Sequence, residues 1–289
     1  MKPGLVTTLS IALLACLPAC SLRPAAPATV TTSESGQQVR TPTTKEAPVP
    51  TTECTATLSP SDSLADAVEA AASNAVLCLQ PGSYNTELEI TRSITIRGLG
   101  EAPHATTITN GGDFAVVAIK GQDIAVVLED LTLRGGGDDS GGGLLVSAWA
   151  DVTLRRCRID SNSSYLVGGG GVYLQFGKLR LEDCILETNQ AEEEGGAILM
   201  DNDSELVMHR GSILGNRASS GAALTMRGGT ALLDSVVIAD NEAQSTQDPN
   251  IYLRGGSGKP IQLTLRACTM DEAEQTSLKE RFADQVTIE

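Results

Sequence analysis

Six segments of this chain fall into one register, and that repeat constrains the fold more than any other feature. Set beneath one another, AVVLEDLTLRGG, DVTLRRCRIDSN, KLRLEDCILETN, ELVMHRGSILGN, ALLDSVVIADN and QLTLRACTM bring Leu131, Cys157, Cys184, Gly211, Val236 and Cys268 into one column. The first five are 25 to 27 residues apart, a solenoid period. Two residues later stand Leu133, Ile159, Leu186, Ile213, Ile238 and Met270. Three before the column stand Leu128, Leu154, Leu181, Met208, Leu233 and Leu265. These offsets describe two short strands with alternating facing, joined by a two-residue break whose side chains both point outward.

Five residues after the column come Asn162, Asn189, Asn216 and Asn241. Asparagine tolerates left-handed backbone and can hydrogen-bond its copy one rung along, which suits a stacked turn. A third strand follows, usually after glycine: GGLLV, GGVYL, GGAIL, GAALT and NIYLR. Three short strands per coil, over about seven coils, predict an all-β, single-stranded, right-handed parallel β-helix. The break supplies an internal check. Its outward pairs run Glu129-Asp130, Arg155-Arg156, Glu182-Asp183, His209-Arg210 and Asp234-Ser235. Opposite charges therefore face each other in neighbouring coils, as a stacked salt-bridge ladder requires.

A solenoid must hide its ends. Ser61 to Ala72 reads as an amphipathic capping helix with Ser63 as N-cap and Leu64 and Val68 on its apolar face. Glu272 to Phe282, with Val286-Thr287-Ile288 as a last strand, makes a second cap. The aliphatic, aromatic-poor composition (3% aromatic, 29 glycines) fits such a thin core. With 36 acidic and 21 basic residues the net charge is −15, which argues against nucleic acid as a partner.

The first twenty residues read as a signal peptide, with Lys2 ahead of a short apolar run. Leu17-Pro18-Ala19-Cys20 resembles the lipobox of bacterial lipoproteins, as does Leu13-Leu14-Ala15-Cys16. The resemblance implies a lipid on Cys20, and Ser21 behind it implies the outer membrane, facing the periplasm or the cell surface. Residues 21–53, rich in Thr, Pro, Ala and Ser, read as a disordered tether, and 54–289 as the β-helix domain with its caps. In the oxidising compartment so implied, Cys54 and Cys78 are expected to be disulfide-bonded. Cys157, Cys184 and Cys268 look like core thiols. With two histidines and no C-x-x-C pair, zinc is not expected.

The cap helix, the strand Ala75 to Leu79 and the Cys54–Cys78 pair resemble the N-terminal cap of pectin-lyase-like folds. Gly195-Gly196-Ala197-Ile198, with Ile213 to Asn216 and Ile238 to Asn241, is similar to the GGAI and FxxN repeats of polymorphic outer-membrane proteins and autotransporter passengers. That resemblance implies surface display and adhesion. The chain departs from it in having aliphatics in place of phenylalanine and no translocator barrel. The hydrolases of the pectin-lyase shape carry paired aspartates together with Gly-His-Gly and Arg-x-Lys, a set that does not occur here. No catalytic residue is therefore assigned, and a non-catalytic protein binding glycan or protein is expected. The alternative is a polysaccharide lyase or related carbohydrate-active enzyme. In it, Asp138-Asp139 or Asp201-Asn202-Asp203 would hold calcium; no other cofactor or metal is expected. Glu192-Glu193-Glu194 reads as a hydrated loop tip. The expected binding stripe lies on the glycine-preceded strand, with Leu145, Tyr173, Ile198, Ala223 and Tyr252 outward and Trp149 just beyond.

Overall fold

The computed structural model describes residues 53–102, 105–245, 250–255 and 260–289. The signal peptide, Cys20 and nearly all of the 21–53 segment lie outside the described residues. The rest is a parallel β-solenoid. Eight strands stack on its long face: Ala75–Leu79, Ile94–Gly98, Ala125–Glu129, Asp151–Arg155, Lys178–Glu187, Glu205–Leu214, Gly229–Ala239 and Ile261–Arg266. Ala56–Leu58 precedes them and Val286–Ile288 follows, and every pairing is parallel. The turns number about eight, close to the seven expected from the repeat; the N-terminal coils lack the asparagine and glycine signals. A seven-stranded sheet opens with Leu88–Ile90 and closes with Ile251–Leu253; a five-stranded sheet joins the other two at the turn.

The core is the set of inward columns read from the repeat. Leu128, Leu154, Leu181, Met208, Leu233 and Leu265 are fully buried, as are Leu133, Ile159, Leu186 and Ile213. Cys157 and Cys184 are buried free thiols stacked among them, and burial pushes the Cys157 thiol well up. Each two-residue break is a left-handed bend: Asp130, Arg156, Asp183, Arg210 and Ser235 have φ of 56°, 50°, 55°, 56° and 61°. Left-handed backbone costs a non-glycine residue about 1 kcal/mol, and the outward ladder helps hold it. Arg155 bridges Glu129 (3.0 Å) and Glu182 (2.8 Å), Arg156 meets Asp130 (2.7 Å), and Arg210 meets Asp183 (2.6 Å). The alternation extends beyond the repeat, to Arg97 on Glu129 (2.6 Å) and Arg266 on Glu289 (2.9 Å).

The asparagines form the expected ladder, but not with the expected backbone. Left-handed φ falls on the residue before each: Ser161, Thr188, Gly215 and Asp240, at 55°, 51°, 58° and 57°. The asparagine's task is purely hydrogen bonding. Each Nδ2 donates to the next Oδ1, from Asn162 to Asn189 (2.9 Å), Asn189 to Asn216 (3.0 Å) and Asn216 to Asn241 (2.9 Å).

Helix α1, Leu64–Ala70, buries Leu64 and Val68 and is capped by Ser63 Oγ accepting from the Asp66 N–H. A Cys54–Cys78 disulfide ties down the same end. At the other end, helix α2, Glu272–Arg281, sends Glu274 onto the last strand of the seven-stranded sheet. Its carboxylate accepts from the N–H groups of Asn250 and Ile251 (both 3.0 Å) and from the Asn250 side chain. Glu274→Ala leaves those donors without their partner and is expected to cost about 2 kcal/mol. Amide exchange should accelerate at Ile251–Leu253 and remain slow at Lys178–Glu187.

Candidate ligand-binding face

Four successive coils enter the seven-stranded sheet through a glycine in left-handed conformation: Gly141, Gly169, Gly195 and Gly221, with φ of 70°, 71°, 68° and 57°. Two more small residues follow before the strand. The second is Gly143, Gly171, Ala197, Ala223 and then Asn250, since Leu144 N–H donates to Gly171 O, Val172 to Ala197, Ile198 to Ala223 and Leu224 to Asn250. Ala197 thus stands where Gly171 stands one coil earlier. The outward row is therefore Leu145, Tyr173, Leu199, Thr225 and Tyr252. Ile198 pairs with Val172 and Leu224 and is fully buried in the core, as is Ala223. This corrects their expected outward facing by one residue, and a shift of one reverses the face.

The outward row is also not an open stripe. Tyr173 is 6% exposed and Leu199 and Thr225 are fully buried, while Leu145 and Tyr252 are half-buried. The turn leading into each strand doubles back over it. Gly168 backs onto Leu199 so closely that a Cβ there would lie 3.1 Å from the leucine Cδ2, and Thr225 Oγ1 donates to Ser220 O (3.4 Å).

Less covered is the next outward row, two residues further along each strand, where Lys120 and Arg254 are exposed and the rest are half-buried. Lys120 and Ser147 pair across it, as do Gln175 and Asp201, with Arg227 and Arg254 continuing it. Two aromatic residues stand at its edge. Ala148 and Trp149 are left-handed (φ 58° and 67°), and so is Phe176 in the next coil (52°). This corner turns the Trp149 ring outward, 53% exposed, at 5.4 Å and 44° to the Phe176 ring. The Trp149 N–H donates to the Phe176 carbonyl.

The polar groups are cross-linked. Tyr173 donates to Asp201 Oδ2 (3.4 Å), Arg227 approaches the same carboxylate (3.8 Å) and holds Glu194 (2.9 Å), and Arg254 holds Glu194 from the other side (2.7 Å). Burial, with the Asp201 charge second, pushes the Tyr173 hydroxyl up to about 12, so it remains a donor at neutral pH. Glu194 is not part of a hydrated tip: its side chain is 12% exposed, whereas Glu192 and Glu193 are exposed as expected. Asp138 spends its carboxylate on the N–H groups of Ala115 (3.2 Å) and Asp139 (2.6 Å). Among the described residues no three His, Cys, Asp or Glu side chains are grouped to hold a metal ion. Phe176 and Arg227 were not singled out by the sequence, and Glu194 was read only as a loop tip. The usable signal was that Phe176 occupies the corner one residue past its strand, as Ala148 does.

Solved structures similar to this chain include a pectin methylesterase in complex with a hexasaccharide, at 16% identity, covering 76% of this chain and 80% of that one with a TM-score of 0.43. Another is Escherichia coli YbhC, at 13% identity, covering 70% and 85% with a TM-score of 0.40. No family model matches the chain, and no curated protein matches it. Likeness at these identities and scores assigns no activity.

Proposed function

We propose that this chain is a non-catalytic lipoprotein of the cell envelope, held at the outer membrane by a lipid on Cys20, whose solenoid binds glycan. The observation that carries the reading is the exposed Trp149 ring, backed by the half-buried Phe176, beside the Gln175, Asp201, Arg227 and Arg254 row. A sugar ring has an apolar face that packs on an aromatic ring and a hydroxyl rim that needs donors and acceptors held in place. An aromatic platform flanked by a few fixed polar groups meets both needs. Because Glu194 holds both Arg227 and Arg254, the two guanidinium groups are fixed in place before binding rather than reorganised on it.

The test is a panel of neutral and acidic polysaccharides, with binding and release of new sugar ends followed together. Trp149→Ala is expected to weaken binding of the retained glycan roughly tenfold, while Trp149→Phe keeps most of it. Binding unchanged by Trp149→Ala sinks the platform. Product release establishes instead the carbohydrate-active enzyme that was the alternative reading.

A further inference from the structure

A second exposed surface lies on the turn between the long face and the seven-stranded sheet, and its chemistry differs from that of the aromatic corner. Three large apolar side chains point into solvent there: Phe114 at 53%, Tyr165 at 44% and Leu166 at 65% exposed. Phe114 stands two coils before Tyr165 and Leu166, with the coil of Gly137 between them. Gly137 N–H donates to Phe114 O (3.1 Å), and a Cβ on Gly137 would fall 2.6 Å from the Tyr165 hydroxyl. Phe114 and Tyr165 therefore flank one glycine.

The chain expels Tyr165 and Leu166 rather than failing to bury them. Asp138 pairs with Ser164 and Ser140 with Gly168, so two steps of one strand face four of the next. The surplus is a bulge, a device that re-aims side chains. A bulge serving only to lengthen the coil would be expected to carry polar residues. Four exposed carboxylates stand on the turns around it. Asp113, Asp139, Glu192 and Glu193 are exposed on the same turns, and among the described residues none of them has an arginine or lysine partner. On the long face, by contrast, carboxylate after carboxylate is matched by a basic residue.

We infer that this ridge docks a cationic amphipathic polypeptide segment, whose apolar side chains cover Phe114, Tyr165 and Leu166 while its lysines or arginines meet the surrounding carboxylates. Exposed apolar side chains gathered on stacked turns mark a contact surface, and carboxylates without a basic partner select a cationic one. An anionic membrane surface would be repelled by the same carboxylates. A glycan would find few donors there.

The full chain is titrated with three labelled peptides: an amphipathic Lys/Leu helix, a Lys/Ser peptide of equal charge, and a Glu/Leu helix. The Lys/Leu peptide is expected to bind at least tenfold more tightly than either control, with affinity falling as salt rises. The triple variant Phe114→Ser, Tyr165→Ser, Leu166→Ser should remove that preference. Leu166→Ser alone, at the most exposed of the three positions, should lower affinity about threefold while leaving thermal unfolding unchanged. Equal binding of the Lys/Ser peptide, or a Leu166→Ser variant that binds Lys/Leu as well as the parent, overturns the proposal. So does capture by lipid vesicles that Leu166→Ser abolishes, which would make the ridge a membrane contact.

Discussion

Replacing Asn189 with alanine is expected to lower stability by about 3 kcal/mol, a large share of what a domain holds in reserve. The side chain sits in the middle of the buried ladder, 1% exposed. Its Oδ1 accepts from both the backbone N–H (3.2 Å) and the side-chain Nδ2 (2.9 Å) of Asn162, and its Nδ2 donates to Ile159 O (2.9 Å) and to Asn216 Oδ1 (3.0 Å). Alanine leaves the Asn162 N–H and the Ile159 carbonyl short of partners where water does not reach, and each such loss costs about 1–3 kcal/mol. Asn241 ends the described ladder and is only half-buried. Asn241→Ala should therefore cost about 1 kcal/mol. Urea unfolding of the two variants measures the difference, and equal midpoints would mean that the ladder does not act as a buried network.

Gly170→Ala is the second large effect, and it acts through crowding. A Cβ on Gly170 would stand 2.2 Å from Gln190 O, 2.5 Å from Gln190 C and 2.7 Å from Gly196 O, all backbone atoms of the next coil. No side chain can swing aside to relieve that contact, so the coils must separate. We expect about 3 kcal/mol of destabilisation. The column explains its own composition: the nearest approach is 2.2 Å at Gly142, 2.2 Å at Gly170 and 2.6 Å at Gly196, and the next coil carries Ala222. Gly255→Ala, with nothing within 4 Å of the added carbon, should change stability by less than about 0.5 kcal/mol. A Gly170→Ala protein that unfolds with the parent would show that the coils separate freely at this turn.

What was legible in the sequence is what every coil repeats. The Leu154 and Leu181 columns, the Asn162 to Asn241 ladder and the alternation of Glu129, Arg155 and Glu182 each recur at one spacing, so each coil checks its neighbour. The seven-stranded sheet lacked such a check at one point. GGVYL and GGAIL align by eye with Ile198 beside Tyr173, yet Ala197 takes the place of a third glycine. Only hydrogen bonding between coils reveals that Leu199 is the true neighbour. The covering of Tyr173 and Leu199 was invisible for a related reason: it depends on how each turn doubles back, which is a property of the stacked coils and not of any one segment. The same holds for the aromatic pair. Trp149 and Phe176 are 27 residues apart, and nothing local in either segment says that two left-handed corners will bring the rings together.

Trp149 is the chain's one tryptophan, so its fluorescence reports on the proposed binding corner alone. Titration of the intact protein with the glycan retained in the panel is the most direct test of the binding reading. The account predicts a shift of the emission to shorter wavelength, as the sugar displaces water from the ring, saturating at the same concentration as binding itself. Saturable glycan binding with an unchanged Trp149 spectrum would place the sugar elsewhere on the solenoid and contradict the account.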